Sequence, residues 1–362
     1  MATSDQIARL RLIRSDNIGP ITYFQLLARF GTEQAALDAI PELAARGGGR
    51  APKLASAEAV EREMGRVAEL GARYIFIGQG LYPPLLAAIE SAPPALVVKG
   101  DLTLLDKQVV AIVGARNASA AACRFARTLA QQLGAEGAVV VSGLARGIDT
   151  AAHDGALETG TIAVIAGGID VIYPPENESR QREIGERGLL MAEQPPGVEP
   201  RARHFPFRNR IIAGLAQGTI VVEAAPNSGS LITARCATEA GREVMAVPGS
   251  PLDPRARGCN ELIREGATLI QNAADVFEAI RPFNLRPLAE EKTGYTASLT
   301  PTDASESDRR VVVDLLSPTP VAVDEIVRQS RLAPAIVQTV LLELELAGRL
   351  ERHAGGKASL AN

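Results

Sequence analysis

The spacing of hydrophobic residues changes along the 362-residue chain and separates it into regions of different structure. Residues 1–80 have apolar side chains at intervals of three and four, which predicts a mostly helical domain. In residues 81–285, short apolar runs alternate with helical patterns. This alternation predicts an α/β domain with a doubly wound, Rossmann-like parallel sheet that helices cover on both faces. The predicted strands lie at 95–99, 109–113, 138–141, 162–165, 188–191, 219–222, 243–247 and 267–270.

The helical region has the turn Asn17-Ile18-Gly19-Pro20 between its first two predicted helices. A turn of this kind is typical of a helix-hairpin-helix or SAM-like unit, in which hairpin amides often contact a DNA backbone. The hairpin contains no Lys or Arg, so an αα-corner with a Gly-Pro turn is the alternative. Gly47, Gly48 and Gly49 predict a flexible loop before a further helix at about 56–70.

The C-terminal part of the chain contains two regions. Residues 286–306 combine Pro, Glu, Thr and Ser with few apolar residues, which predicts a linker. Residues 307–362 show three helical patterns and then a strand-turn-strand wing, which predicts a winged helix. The third helix contains Glu343 and Glu345 but no Lys or Arg, so we interpret this domain as a protein-contact or regulatory module rather than a duplex reader. The three helices are predicted at 309–316, 323–330 and 334–347.

Composition narrows the possible functions. The net charge is −4, so a site for a polyanion must be a local patch of positive charge. Trp is absent and aromatic residues make up 4% of the chain, which argues against an extended base-stacking platform. The three cysteines and three histidines form no metal-ligand pattern, so we expect no metal site. Without a signal pattern or a long apolar run, we expect a soluble cytoplasmic protein that makes no membrane contact.

The junction after the strand at 109–113 is the first candidate for binding an anion. Here Gly114-Ala115-Arg116-Asn117-Ala118-Ser119 leads into a helix predicted at about 120–134. The first N–H groups of a helix and its dipole favour a negatively charged ligand. Gly114 allows a ligand to approach the backbone closely, and the guanidinium of Arg116 suits phosphate. An ordinary βα turn with a solvated arginine is the alternative.

Three further strand-to-helix junctions carry residues that suit anions. In a parallel sheet these junctions all lie along the carboxyl edge. Asp149 and His153 follow the first of them, and there the helix dipole explains the acid while a structural hydrogen bond explains the histidine. Either a helix cap or a phosphate accounts for the serines of the last junction. The candidate residues at these junctions are Ser142, Gly143, Arg146, Gly167, Gly168, Ser228, Gly229 and Ser230.

The most basic segment of the chain covers residues 201–212, which contain four arginines and no acid. Phe205 and Phe207 alternate with the charges, so the segment offers cations for phosphate and rings for stacking. Side chains two positions apart on a helix point nearly opposite ways, so Arg208 and Arg210 can serve one groove only if Arg208 still lies in the turn. Core packing of Phe205 beside solvated arginines is the alternative. The candidate residues of this segment are Phe207, Arg208, Asn209 and Arg210.

Several catalytic motifs are absent from the strand ends. The chain has no GxGxxG dinucleotide fingerprint, no GxxxxGK[ST] phosphate loop and no nucleophile elbow. Several turns suited to anions, beside a segment that is both basic and aromatic, fit a chain of phosphates better than a single nucleotide. We therefore expect binding without a cofactor and without catalysis.

Six ordered segments resemble the DprA/Smf DNA-processing family. They are SGLARGID (142–149), TIAVIAGGIDVIYPPEN (161–177), FPFRNRIIAGL (205–215), SGSLIT (228–233), GREVMAVPG (241–249) and GCNELIREGA (258–267). The resemblance implies a single-stranded DNA-binding recombination mediator that protects DNA entering the cytoplasm during natural transformation. It also implies help in loading a RecA-type recombinase, no established catalytic reaction, and a homodimer formed through the Rossmann-like domain.

The resemblance also implies a DNA pocket that includes Gly114, Arg116, Arg208 and Arg210. The chain departs from the family pattern at three positions. Ala115 stands where serine is common, Glu176 follows the Tyr-Pro where some relatives have lysine, and Pro226-Asn227 replaces a basic residue. The last two departures reduce positive charge at the rim of the pocket.

Two other functions are considered beside the mediator. The first is a phosphoribohydrolase-type enzyme acting on nucleoside monophosphates, for which Glu223, Asp149 and Asp170 offer carboxylates near strand ends. The Pro-Gly-Gly-x-Gly-Thr motif of such enzymes is absent. The second is a protein-binding scaffold whose acidic C-terminal domain is the contact surface.

Overall fold

The computed structural model describes residues 3–281, 303–353 and 355–361. The chain forms two compact units, of which the first joins residues 1–62 to residues 286–362 and the second covers residues 63–285. We call them the terminal unit and the sheet unit. Residues 286–302 of the predicted linker lie outside the described residues, and a helix begins at Glu306 within its last part. No described helix has the length and apolar character needed to cross a membrane.

The sheet unit is an α/β domain with nine strands among the described residues. Its eight predicted strands are confirmed, each to within a residue or so at its ends. One further strand, β1, lies in the region that the sequence assigned to the helical domain. The strands are β1 (Arg73–Phe76), β2 (Ala95–Gly100), β3 (Val109–Gly114), β4 (Val139–Ser142), β5 (Thr161–Ile165), β6 (Leu189–Ala192), β7 (Gly218–Val222), β8 (Glu243–Ala246) and β9 (Thr268–Leu269).

The order of the strands places the carboxyl end of β3 at a special position. The sheet runs β1-β2-β6-β5-β4-β3-β7-β8-β9, and the seven strands from β6 to β9 in this order are parallel. The chain winds outward from β3 to β6 and then returns to place β7 on the other side of β3. Ligands of doubly wound sheets bind outside the carboxyl ends of strands at such a reversal.

The prediction of a wholly parallel sheet was wrong at one edge. Strand β2 pairs antiparallel with β6, and β1 pairs antiparallel with β2. Strands β1 and β2 are therefore joined without the crossover connection that a parallel pair would need.

Helices cover both faces of the sheet, as predicted. Along β3, Val109, Ala111 and Val113 belong to one hydrophobic cluster, whereas Val110 and Ile112 belong to another. Alternate side chains of a strand point to opposite faces, so this division shows that both faces are buried. The helices of the unit are α5 (Pro84–Ala87), α6 (Ala120–Ala135), α7 (Ile148–Ala156), α8 (Glu178–Arg187), α9 (His204–Leu215), α10 (Gly229–Glu239), α11 (Arg257–Arg264) and α12 (Ala273–Ala279); α4 (Ala57–Glu69) spans the boundary between the units in sequence.

The terminal unit joins three N-terminal helices to a winged helix. In the winged helix three helices precede a hairpin, as the sequence predicts, and a further short strand, β10, completes a three-stranded sheet of order β10-β12-β11. Residue 354, in the wing, lies outside the described residues. The elements are α1 (Ser4–Arg14), α2 (Pro20–Phe30), α3 (Glu33–Arg46), α13 (Glu306–Asp314), β10 (Val321–Ala322), α14 (Val323–Ser330), α15 (Pro334–Leu346), β11 (Leu350–His353) and β12 (Lys357–Leu360).

Helix α15, the third helix of the winged helix, packs against the N-terminal helices. Leu342 and Leu346 belong to the same hydrophobic cluster as the apolar residues of α1 to α3. The amide of Asn17, in the predicted hairpin, donates to the carbonyl oxygen of Leu346 at 3.5 Å. Glu343 is fully buried and accepts two hydrogen bonds from Arg309 of α13, at 2.8 and 3.0 Å. The acidic helix α15 therefore makes protein contacts, as the sequence indicated, and the elements that it contacts belong to the same chain.

The three glycines after α3 do not form the open loop that they predict. A Cβ atom at Gly47 would lie 2.1 Å from the carbonyl oxygen of Glu343, and one at Gly49 would lie 2.4 Å from that of Ala347. Arg349 also donates to the carbonyl oxygen of Gly47 at 2.9 Å. The glycines are needed because the end of α15 contacts the backbone itself.

Replacing Gly47 by alanine should destabilise the terminal unit by about 1–3 kcal/mol, the usual cost of overpacking. The backbone at Gly47 has φ −70°, so the effect would come from the contact rather than from the conformation. Gly65→Ala, in α4, is the control, because no atom lies within 4 Å of its added methyl group. Urea denaturation followed by circular dichroism measures both, and equal stability of Gly47→Ala and the parent would contradict the packing described.

Candidate nucleic-acid interface

A cleft of about 220 Å³ lies at the carboxyl ends of β3, β4 and β5. The loops after these strands and the first turns of α9 form its walls. Four residues predicted from the sequence line the cleft together, although they come from three separate segments. They are Arg116, Gly143, Arg146 and Arg208.

Arg208 forms the floor of the cleft. Its side chain is only 6% exposed, and its Nε atom is buried without a hydrogen-bond partner. Within the described residues, its guanidinium makes no hydrogen bond or salt bridge. The guanidinium occupies the space that a side chain at position 143 would need, since a Cβ there would lie 1.4 Å from Nη1. Gly143 is therefore required by Arg208, and not by direct approach of a ligand to the backbone.

Asp149 supplies negative charge near this floor, in the turn that contains Gly143. Its Oδ2 atom accepts hydrogen bonds from the N–H groups of Gly143 and Ala145, at 3.2 and 3.3 Å. Burial lowers the pKa of Arg208 to about 10, while the nearby Asp149 opposes that shift. Burial raises the pKa of Asp149, and Arg208 opposes that shift in turn. Asp149 therefore does more than interact with the helix dipole: it binds two backbone N–H groups and offsets the charge of Arg208.

The turn between β4 and α7 depends on Asn177, which was not among the residues predicted for the site. Leu144 has φ +54°, an unfavourable conformation for a side chain of this size. The amide of Asn177 donates to the carbonyl oxygen of Leu144 at 2.9 Å and to the hydroxyl of Thr150 at 3.0 Å. Asn177 thus holds the turn that shapes the cleft. Its position after Tyr-Pro-Pro-Glu, at the start of α8, was the available signal.

Two arginines and two aromatic rings form the rim. The guanidinium carbon of Arg116 lies 5.2 Å from the centre of the Phe205 ring, within the range of a cation–π interaction. The ring centres of Phe205 and Tyr173 are 5.6 Å apart. Arg146 and Glu176 form an exposed ion pair at 3.6 Å. Phe207 is 52% exposed but is not among the residues that line the cleft.

Arg210 does not belong to the cleft. The side chain is buried, forms an ion pair with Glu193 at 2.6 Å and donates to the carbonyl oxygen of Ser91. Both arginines lie within α9, so their side chains diverge, as expected for helical positions two apart. The structure therefore answers the question that the sequence left open, and only Arg208 faces the cleft.

The remaining candidate residues make structural contacts. Ser142 is buried and donates to the carbonyl oxygen of Ile112 at 2.6 Å. A Cβ at Gly114 would lie 1.9 Å from the carbonyl oxygen of Val222, so protein backbone occupies the space expected for a ligand.

Two more groups of candidates lie outside the lining of the cleft. Gly167 and Gly168 pack against residues 195–200. Asn209 donates to the carbonyl oxygen of Gly229 at 3.2 Å, and the hydroxyls of Ser228 and Ser230 are 2.8 Å apart. The backbone of Gly229 has open space beside it.

The start of α6, expected to bind an anion, already holds a carboxylate of the chain. Ser119 caps the helix by accepting from the N–H of Ala122 at 3.1 Å. Glu223 accepts a hydrogen bond from the N–H of Ser119 at 2.8 Å. The helix dipole is thus compensated internally. The pairing of these N–H groups argues against phosphate at this end of α6, and Arg116 is the residue of the turn that lines the cleft.

The three carboxylates considered for an enzyme all bind backbone N–H groups. Glu223 and Asp149 do so as described above, and Asp170 accepts from Gly197 at 2.7 Å. Asp170 also forms an ion pair with Arg66 at 3.4 Å. Each carboxylate therefore has a structural task, and the hydrolase alternative is not favoured.

His153 is a buried structural residue, as the sequence analysis favoured. Its Nδ1 atom lies 2.7 Å from the hydroxyl of Thr161, and its Nε2 atom is buried without a partner. Burial lowers the pKa of His153 to about 3, so the ring is neutral in the folded protein near pH 7.

The buried histidine should make stability depend on acid. Between pH 6.5 and 3 the unfolded chain binds a proton at His153 that the folded chain excludes, so stability falls as the pH falls. The contribution is up to about 1.4 kcal/mol per pH unit. Urea denaturation at several pH values should show a shallower dependence for His153→Gln than for the parent. An unchanged slope between pH 6.5 and 4 would contradict the neutral buried ring.

Comparison with known proteins agrees with this architecture. The family model described as DNA recombination-mediator protein A matches residues 73–281. The models for a DprA-like N-terminal HHH domain and a DprA winged helix domain match residues 3–65 and 296–356. The first of these two supports the helix-hairpin-helix interpretation over the plain αα-corner.

Individual relatives give the same result. DNA processing protein DprA of Streptococcus pneumoniae is 50% identical over 197 residues, which cover 54% of this chain and 70% of the relative. The crystal structure of a pneumococcal DprA matches with a TM-score of 0.63 and 37% identity, covering 76% of this chain and 98% of that one. A Helicobacter pylori DprA structure, described as revealing a single-stranded DNA binding mode, matches with a TM-score of 0.52 and 32% identity, covering 57% and 94%.

Proposed function

The chain belongs to the DprA/Smf family of DNA recombination mediators, and from this we propose that its cleft binds single-stranded DNA through Arg208, Arg116 and Arg146. The observation that carries the proposal is the state of Arg208. A guanidinium buried without a hydrogen bond among the described residues lacks the partners that such a group normally has. Oxygen acceptors of a bound nucleic acid would supply them.

The composition of the rim favours a polynucleotide over a small anion. Arg116 and Arg146 place two further cations at the mouth, and charges at such positions suit successive phosphates of a strand. The rings of Phe205 and Tyr173 at the rim offer faces for stacking, and the exposed Phe207, which does not line the cleft, offers a further ring on the same segment. Stacking of bases on side chains requires that the bases are unpaired, so this arrangement favours a single strand.

We propose that the protein acts by binding and handing over the strand, without a reaction of its own. The carboxylates near the strand ends hold backbone amides, and the polar groups in the cleft are mainly cations. The strand would be protected in the cytoplasm and passed to a RecA-type recombinase during natural transformation. This role in transfer rests on membership of the family.

We further propose a homodimer formed through the Rossmann-like domain. Strand β9 is one edge of the described sheet, and its Leu269 is exposed. An unpaired strand edge with an exposed apolar residue is a favourable surface for a second copy. Light scattering should give about twice the chain mass of 38.1 kDa at micromolar concentration. A single-chain mass at all concentrations would exclude the dimer.

Single-stranded DNA should bind more tightly than a duplex of the same sequence. The expected cause is access of unpaired bases to the rings and of the backbone to Arg208. Fluorescence anisotropy with labelled 20-mers, measured at several salt concentrations, compares the two. Equal affinity for the strand and the duplex at each salt concentration would contradict the proposed site.

Removing the cleft arginines should weaken binding and its salt dependence. We expect Arg116→Ala to flatten the plot of log affinity against log salt by about 0.7, because one phosphate contact is lost. Arg208→Gln should lower the affinity by about tenfold or more, since hydrogen bonds to charged groups are strong. Thermal stability of Arg116→Ala should stay near that of the parent, because its side chain is exposed.

Arg210→Gln is the matched control for Arg208→Gln, because the two residues lie on the same helix. Its partner is Glu193 rather than DNA, so this change should lower the melting temperature and leave the salt slope unchanged. If Arg210→Gln flattened the slope while Arg116→Ala and Arg208→Gln did not, the assignment of the cleft would be wrong.

A further inference from the structure

The cationic residues of the cleft have acidic neighbours that belong to the chain itself. Glu176 lies 3.6 Å from Arg146 at the rim. At the floor, Asp149 accepts a hydrogen bond from the N–H of Gly143, the residue whose missing side chain leaves space for the Arg208 guanidinium. We call Glu176 and Asp149 the cleft carboxylates. They come from different loops, and each stands next to one of the groups proposed to bind phosphate.

At the rim the ion pair is weak. The side chains of Arg146 and Glu176 are 56% and 59% exposed, so water screens their attraction and the pair opens easily. A phosphate that contacts Arg146 must nevertheless replace Glu176 or accept its repulsion, because both side chains line the same mouth. Glu176 therefore reduces the gain in free energy from each strand that binds.

At the floor the carboxylate is fixed. Asp149 is buried and held by the N–H groups of Gly143 and Ala145, so it cannot move away when a ligand enters. Its charge offsets the burial of Arg208 in the empty cleft. The same charge opposes a phosphate that approaches Arg208. Asp149 thus favours the folded protein and disfavours the bound strand.

From these contacts we infer that Glu176 competes with DNA phosphates for Arg146, and that the charge of Asp149 weakens the attraction of a phosphate to Arg208. Together the cleft carboxylates hold the affinity for single strands below what the arginines alone would give. This inference rests on the proposed function. A protein that passes a strand to a second protein benefits from fast release, and affinity differences between related complexes lie mainly in the rate of dissociation. The carboxylates would therefore hasten transfer.

The first test replaces Glu176 by glutamine, which keeps the size of the side chain and removes its charge. Because Arg146 then becomes available to phosphate, the affinity for a labelled single-stranded 20-mer should rise about two- to fivefold at low salt. The plot of log affinity against log salt should become steeper by about 0.7. Dissociation into excess unlabelled strand, followed by stopped flow, should slow by a similar factor.

Glu183→Gln is the control for this variant. Glu183 lies on α8, two turns beyond Glu176, and forms a half-exposed ion pair with Arg187 at 3.0 Å. The substitution changes the net charge equally but should leave the salt slope unaltered. Equal effects of the two substitutions would show that only net charge matters and would overturn the inference for the rim. If the parent protein itself failed to bind the single strand, the proposed function would be wrong, whatever the variants showed.

The second test examines the floor. Asp149→Asn retains an oxygen that can accept the two N–H groups, so it isolates the role of the charge. We expect a lower melting temperature, because Arg208 loses its buried counter-ion, together with tighter binding of the strand, by about threefold. In an Arg208→Gln background, Asp149→Asn should no longer change the affinity. Weaker binding by Asp149→Asn, or the same effect in both backgrounds, would overturn the inference for the floor.

Discussion

The burial of one guanidinium constrains the whole edge of the sheet at which the cleft lies. Arg208 fits beneath the loops because position 143 has no side chain, and the turn beside it places Leu144 in the left-handed region. Asn177 fixes that turn from outside, and Asp149 fixes it from within while offsetting the charge. A buried cation is costly without such support. The polar groups of the cleft are therefore held in place by contacts within the chain itself.

The acidic residues near the cleft also explain why its net positive charge is moderate. Three arginines line it, but Glu176 and Asp149 stand beside two of them. A wholly positive cleft would hold a polyanion more tightly and release it more slowly. If the protein passes a bound strand to a second protein, as we propose, a balance of charges suits it better than maximal affinity.

In the terminal unit, the third helix of the winged helix makes contacts within the chain. In this chain the third helix of the winged helix packs on the N-terminal helices through Leu342 and Leu346, and Gly47 leaves room for its backbone. The hairpin of the helix-hairpin-helix contacts the end of the same helix through Asn17. Two elements that elsewhere approach DNA thus contact each other here. The sequence showed that neither element contains Lys or Arg, which argued against direct DNA contact by each, but it did not predict that they contact each other.

The sequence by itself predicted eight strands of the large sheet and the three helices and wing of the winged helix, because these follow from local spacing of apolar residues; it missed β1 and the antiparallel edge. It also proposed Arg116 and Arg208 as candidates, and both line the cleft, since arginines at strand ends and in a basic segment are visible without coordinates. Only the tertiary structure decided that Arg210 turns to Glu193, that Glu223 occupies the start of α6 and that Gly114 and Gly47 serve packing. Those outcomes depend on partners more than ten residues away in the sequence, and local patterns carry no information about which distant group fills a space.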